Sequence, residues 1–184
     1  MMLTLILGPM KSGKTLEMVR RLGHLRFSDV KLAVYQPVKN VRDMGLLSRS
    51  GAGLLSCKIE SLDEISDTKA EVVGIDEIHM FPPEEMGIIG DLLRRGVAVV
   101  ASGLDLDYKG DLFPTIQKLL ELGPTEVVYR QAVCESCRQP TASFTQIEQN
   151  GEPVLGDLPS VIPEDGTYRY SPRCRNCYKK RPKV

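Results

Sequence analysis

The chain has no tryptophan, two histidines and only 5% aromatic residues, and its charges cancel, 24 Lys and Arg against 24 Asp and Glu. A net charge of zero leaves no global field to draw the protein to nucleic acid or to an anionic membrane surface. Partner choice must therefore be local. There is no basic stripe interleaved with aromatics, which argues against a nucleic-acid partner. No apolar run approaches the roughly 18–20 residues of a transmembrane helix. Met1 to Leu7 leads straight into a glycine-rich loop rather than a cleavage site, so the expectation is a cytoplasmic protein without a secretory signal or membrane partner. Internal repeats and low-complexity tracts are absent. Five cysteines in such a compartment point to metal or reactive thiols and not to disulfides. At 184 residues the chain can form one α/β core with a smaller appendage; two full domains would be cramped.

What is present begins with Gly8-Pro9-Met10-Lys11-Ser12-Gly13-Lys14-Thr15, which fits the phosphate-loop pattern G-x-x-x-x-G-K-[ST] at every fixed position. The apolar run Met2–Leu7 precedes it and the helix-compatible run Leu16–Leu22 follows it, the strand and helix context the motif needs. Its glycines let the backbone curl so that successive N–H groups point inward at a phosphate, and the helix adds the positive end of its dipole. Lys14 then neutralises β- and γ-phosphates, and the Thr15 hydroxyl supplies one ligand of a Mg²⁺. The bland alternative is a chance match in a Gly-rich turn.

Glu71-Val72-Val73-Gly74-Ile75-Asp76-Glu77 reads as a buried strand ending in two carboxylates, and ligands of doubly wound sheets sit at such strand ends. Asp76 stands where phosphate-loop enzymes place the acid that holds Mg²⁺. Glu77 is then free to act as general base toward a substrate hydroxyl or, alternatively, to polarise a water in an ATPase. Two acids solvating a strand end is the structural alternative. His79, two residues on, reads as a packing or hydrogen-bonding residue before an acid–base group. His24 reads as surface. In the long Gly-, Ser- and Arg-rich loop Val38–Gly53, Arg42 is either solvated or a steadying charge for the phosphates.

The remaining pattern is βα throughout. Lys31–Tyr35 reads as a strand ended by Pro37, Ser61–Glu64 has capping-box spacing, and Pro82–Arg95 reads as a helix. Val97–Gly103 has the small apolar run of a central parallel strand, Leu112–Leu122 is a helix, and Val127–Arg130 is a last core strand. Asp105 and Asp107 solvate a turn or touch a metal. Cys57, far from other cysteines, reads as a buried core thiol. Then Cys134-Glu135-Ser136-Cys137 and Cys174-Arg175-Asn176-Cys177 form two C-x-x-C knuckles 36 residues apart. Four thiolates suit tetrahedral Zn²⁺ with no open position, hence a structural ion, although a dithiol redox pair also carries C-x-x-C. Between them Ala142–Ile147 and Val154–Leu155 flank Asn150-Gly151 as a hairpin. The Pro-, Gly- and Asp-rich stretch Gly156–Pro172 is a candidate lid, and the basic end Lys179–Lys183 a solvated tail.

From Leu3 to about Tyr178 the chain resembles the zinc-containing, tetrameric class of thymidine kinases. The likeness rests on Gly8–Thr15, Ile75-Asp76-Glu77-Ile78-His79-Met80-Phe81, Gly103-Leu104-Asp105, Ala132-Val133-Cys134 through Cys137, and Tyr170-Ser171-Pro172-Arg173-Cys174 through Tyr178. It implies a phosphate-loop parallel sheet flanked by helices over residues 1–131. A small zinc-binding, lasso-like domain that covers the nucleoside then spans 132–184. It further implies ATP-dependent phosphorylation of the 5′-hydroxyl of thymidine, with Glu77 as proton acceptor and an ATP site of residues 8–15 with Asp76, Glu77, Ile78 and His79. Mg²⁺ falls to Thr15 and Asp76, phosphate to Arg42, the nucleoside to Met80, Leu104, Tyr108, Phe113 and Tyr170, and zinc to Cys134, Cys137, Cys174 and Cys177. A homotetramer inhibited by thymidine triphosphate completes the expectation. The chain departs from the family's usual residues at Asn40 (Asp), His79 (Gln) and Met80 (Phe), and across Val161–Gly166 in the lasso. Three alternatives stay open: a related nucleoside kinase of different base specificity, an ATPase whose zinc module binds nucleic acid, and a nucleotide-binding regulator that has lost catalysis through its altered lasso.

Overall fold

Leu3–Leu7 is buried at every position and apolar at all but Thr4, the pattern of a strand covered on both faces. In the computed structural model, which describes residues 2–40, 46–47, 53–158 and 167–180, it is β1. The elements that follow are α1 (Lys14–Leu22), β2 (Leu32–Pro37), β3 (Leu46–Leu47), β4 (Gly53–Leu54), β5 (Cys57–Ile59) and β6 (Val72–Ile75). Then come α2 (Met86–Arg94), β7 (Ala98–Gly103), α3 (Pro114–Glu121) and β8 (Glu126–Tyr129), and finally β9 (Phe144–Gln149), β10 (Glu152–Pro153) and β11 (Arg169–Arg173).

Six strands form one sheet in the order β5-β2-β6-β7-β1-β8, every pairing parallel. The period-two alternation of β1 divides the core in two. Leu3, Leu5 and Leu7 join Val73, Ile75, Val99 and Ala101 on one face, against Met86, Ile89 and Leu92 of α2 and Ile116 and Leu119 of α3. Ile6, Val34 and Val100 point the other way, onto Met18, Val19 and Leu22 of α1. At about 1.5–3 kcal/mol for each fully buried large aliphatic side chain, these two layers hold the helices on the sheet. The consequence for function is positional: β1, β6 and β7 lie side by side in the middle, so their carboxyl ends bring Gly8, Asp76 and Gly103 to one edge.

The second sheet is antiparallel, β10-β9-β11, and sits beside the cysteine knuckles. Its hairpin turns at Asn150 and Gly151, both with positive φ (51° and 83°), as the Asn-Gly pair predicts. The capping box also forms: Ser61 Oγ accepts the Asp63 N–H and Glu64 Oε1 accepts the Ser61 N–H, opening a 3-10 turn at Leu62–Ile65.

Four expectations change. Cys57 is exposed on the edge strand β5 and is not a core thiol. β2 continues through Pro37 because β5 offers it a second partner, with Pro37 opposite Ile59. The last strand of the large sheet, β8, is an edge strand whose Tyr129 is exposed. Arg169–Arg173 is a strand where loop is expected, since its polar, Pro172-containing sequence has little strand character until β9 pairs with it. Arg42 and Val161–Gly166 lie outside the described residues.

Candidate active site

The loop between β1 and α1 needs glycine twice for local reasons. At Gly8 (φ 144°) a Cβ would stand 2.2 Å from the Arg130 carbonyl oxygen, and Gly13 (φ 78°) takes the left-handed turn that launches α1. Lys14 is buried, with its ammonium donating to the Pro9 carbonyl at 2.8 Å. Met10 is buried beneath the loop, Lys11 holds a left-handed φ of 62°, and the buried Ser12 Oγ has no hydrogen-bond partner among the described residues.

Asp76 follows β6 and is 4% exposed. Thr15 donates its hydroxyl to Asp76 Oδ2 at 3.0 Å, and Ser102 on β7 donates to Oδ1. Burial, and then the charge of Glu77, push the Asp76 carboxyl up to about 6, against the pull of the two hydroxyls and of Lys14. Because Thr15 gives its proton to Asp76, the lone pairs of its oxygen stay available to a cation. That donor set fits a hard, oxygen-ligated ion such as Mg²⁺.

Glu77 also has a left-handed backbone (φ 52°), a rare conformation for a residue with a Cβ, and its side chain is about one-fifth exposed. No hydrogen bond holds its carboxylate among the described residues. His79 Nδ1 lies 3.5 Å from its Oε2. That nitrogen already accepts the Leu104 N–H at 3.2 Å, so it carries no proton to share. Burial, followed by the charge of Lys14, pushes His79 down to about 3, which keeps the ring neutral. Phe113 meets the imidazole edge to face, centroids 4.9 Å apart. His79 is thus a packing and hydrogen-bonding residue behind Leu104.

Ile78, Leu104 and Phe113 belong to the main core cluster, with Tyr170 of β11 packed on it and Met80 half-buried nearby in sequence. Tyr108 is buried as well, but its hydroxyl donates to the Leu158 carbonyl (2.8 Å), with the Gly156 carbonyl sharing that proton at 3.2 Å, and accepts the Leu158 N–H. Leu104 and Phe113 therefore form one apolar wall around His79, on the side of Glu77, while Tyr108 fastens the chain at residues 156–158. Asp107 solvates a turn, Oδ1 accepting the N–H groups of Lys109 and Asp111. The neighbouring Asp105 carboxyl is raised by burial, and its Oδ1 has no partner among the described residues.

The four knuckle cysteines converge, their sulfurs all within 4.8 Å of one another and those of Cys137 and Cys174 3.7 Å apart. Tetrahedral coordination at about 2.3 Å sets sulfurs roughly 3.8 Å apart, so the cluster fits such an ion. Burial alone would raise the Cys134 thiol, yet the backbone N–H groups of Cys137, Cys174 and Ser136 draw it down to about 6. The cysteine module touches the phosphate loop directly. Thr145 Oγ1 of β9 accepts the Met10 N–H at 3.0 Å, and Glu135, inside the first knuckle, pairs with Lys11 at 2.5 Å and with Arg169 at 2.7 Å.

Sequence reasoning missed Ser102, Thr145 and Glu135. Ser102 had one signal, a hydroxyl inside an otherwise apolar central strand. The other two had none, because their partners are 135 and 124 residues away.

Compared with known proteins, residues 1–178 match a family described as thymidine kinase. The chain is similar to the thymidine kinase of Thermococcus kodakarensis, 34% identical over 94% of this chain and 91% of that one. It is also 34% identical to those of Mycoplasma capricolum, over 95% and 87%, and Roseiflexus castenholzii, over 95% and 92%.

Proposed function

Because the chain belongs to the thymidine kinase family, we propose that Glu77 takes the proton of the thymidine 5′-hydroxyl as the γ-phosphoryl of ATP is transferred to it. Phosphorylation of thymidine at the expense of ATP is the family's reaction and the chain's. The observation that carries the assignment of Glu77 is the contrast between the paired acids. Asp76 has both oxygens engaged by Thr15 and Ser102. Glu77 stands beside it unanchored among the described residues and partly open, as a base that must reach a substrate needs to be.

In this reading residues 8–15 cradle the triphosphate with their amides, Lys14 leaves the Pro9 carbonyl for the phosphates, and Ile78 and His79 border the ATP site. Arg42 adds a further charge to the phosphates. Thr15 and Asp76 hold Mg²⁺, which screens the phosphate charge when bound. Met80, Leu104, Tyr108, Phe113 and Tyr170 wall the nucleoside. A nucleophile and phosphoryl group held in line need little further chemistry from the protein.

The four cysteines hold a structural zinc that organises residues 132–184 as a unit distinct from 1–131. By kinship we also assign a cytoplasmic homotetramer inhibited by thymidine triphosphate, which carries both the base and the triphosphate the cleft accepts. Exposed Phe27, Leu55 and Tyr129 are apolar surface that further copies can cover. A radiolabelled ATP transfer assay over a panel of nucleosides tests the function. Labelled thymidine monophosphate is the expected product. Preferential labelling of another nucleoside, or free phosphate stimulated by DNA, refutes the assignment.

A further inference from the structure

Ser102 lies on β7 between two partners: it is in register with Ile6 of β1, and one residue beyond the Ile75–Ala101 pair it meets Asp76. It is fully buried, and the carboxylate it serves is nearly so. A hydroxyl in the middle of an apolar sheet costs stability unless it is bonded, and this one is bonded to a charge. We propose that Ser102 is a positioning residue for phosphoryl transfer, fixing the Asp76 carboxylate so that Thr15 and Asp76 present their oxygens to the cation in one orientation.

The geometry supports a clamp. Donors arrive at the two Asp76 oxygens from different elements, Thr15 from the first turn of α1 and Ser102 from the central strand. With one donor a carboxylate can still turn about its own axis; with two from opposite anchors it cannot. Thr15 must keep donating to Oδ2 for its lone pairs to face the cation, so what holds Asp76 also orients Thr15. Removing the Ser102 hydroxyl leaves Oδ1 of the buried Asp76 without its donor. The carboxylate then turns or recruits a water, and Thr15 loses its fixed acceptor. Ser102 has no hydrogen bond to the wall formed by Leu104 and Phe113, so nucleoside binding is not part of its task.

The inference rests on the assignment of Thr15 and Asp76 to the cation, and the experiment separates the two. Ser102→Ala and the near-isosteric Ser102→Cys are compared with wild type and Asp76→Asn. Mn²⁺ binding to the protein–ADP complex is followed by electron paramagnetic resonance, and the free-Mg²⁺ dependence of kcat and the KM for thymidine by steady-state kinetics. Loss of one buried, charge-assisted hydrogen bond predicts that both Ser102 variants bind Mn²⁺ about tenfold more weakly and need about tenfold more Mg²⁺. Their KM for thymidine should stay within about twofold. If Asp76→Asn binds Mn²⁺ normally, the cation assignment falls and the role of Ser102 with it. If Asp76→Asn abolishes binding while both Ser102 variants match wild type, the assignment stands and the proposal is overturned. Parallel losses in Mn²⁺ affinity, thymidine KM and melting temperature would make Ser102 a merely structural residue and overturn it equally.

Discussion

Glu77→Gln removes one negative charge and keeps the shape of the side chain. If Glu77 accepts the hydroxyl proton, the variant loses what general-base catalysis supplies, roughly 10²–10⁴ in rate, or about 3–5 kcal/mol of barrier. The structure argues for about a thousandfold, because the neighbouring groups cannot substitute. Asp76 accepts hydrogen bonds on both oxygens. His79 has its free nitrogen on the Leu104 amide, and at a pKa of about 3 it is too weak a base near neutrality. Nucleotide binding should survive. Glu77 makes no hydrogen bond to the loop Gly8–Thr15 among the described residues, and its charge repels Asp76, so removing it should leave ADP–Mg²⁺ affinity unchanged within a few-fold or slightly improved. Single-turnover transfer from labelled ATP to thymidine measures the chemical step, and calorimetric titration with ADP measures binding. A variant whose transfer rate stays within tenfold of wild type sinks the base assignment. One that loses ADP binding in proportion to rate shows that Glu77 serves the nucleotide instead.

Three further outcomes follow from the same geometry. Glu77→Gly relieves a left-handed backbone that costs a Cβ-bearing residue about 1 kcal/mol, so it should melt at the same temperature or higher while being as inactive as the Gln variant; a clear drop in melting temperature would contradict this. His79 stays neutral in the fold with a pKa depressed to about 3, against about 6.5 when unfolded. Its contribution is therefore whole above pH 6.5 and is lost as pH falls toward 3, because the unfolded chain binds a proton that the folded one refuses. Urea unfolding at pH 7 and pH 5 should show wild type losing about 2 kcal/mol more than His79→Gln between the two, and parallel losses would exclude the mechanism. Stripping metal with a chelator should release one zinc per chain and disorder the sheet β9–β11 with it, raising the KM for thymidine before the fold of the large sheet is lost; metal-free protein with an intact module and unchanged KM refutes the structural role.

Much of the molecule was legible because the signals are local. The loop motif depends on eight consecutive residues, the alternation in β1 follows from the two-residue period of a strand, the run of β7, apolar but for Ser102, marks a strand covered on both faces, and Asn150-Gly151 turns because those two residues tolerate positive φ. Cys57 misled for the complementary reason. Its burial depended on whether β5 took a central or an edge position, which is a property of the sheet order and not of the residues around it. β11 was invisible likewise, being a strand only through its pairing with β9.

The sequence by itself determined that a phosphate-loop motif, a strand ending in Asp76 and Glu77, and four knuckle cysteines exist, since each is written in short contiguous runs whose backbone conformation those residue types dictate. Only the tertiary structure decided what each of them faces. It set Ser102 on Asp76, Leu104 on His79, Thr145 on Met10 and Glu135 on Lys11, leaving Glu77 unanchored among the described residues beside a clamped Asp76. The physical reason is that hydrogen bonds and burial act over a few ångströms of space, and the partners that meet there are separated by 25 to 135 residues of chain.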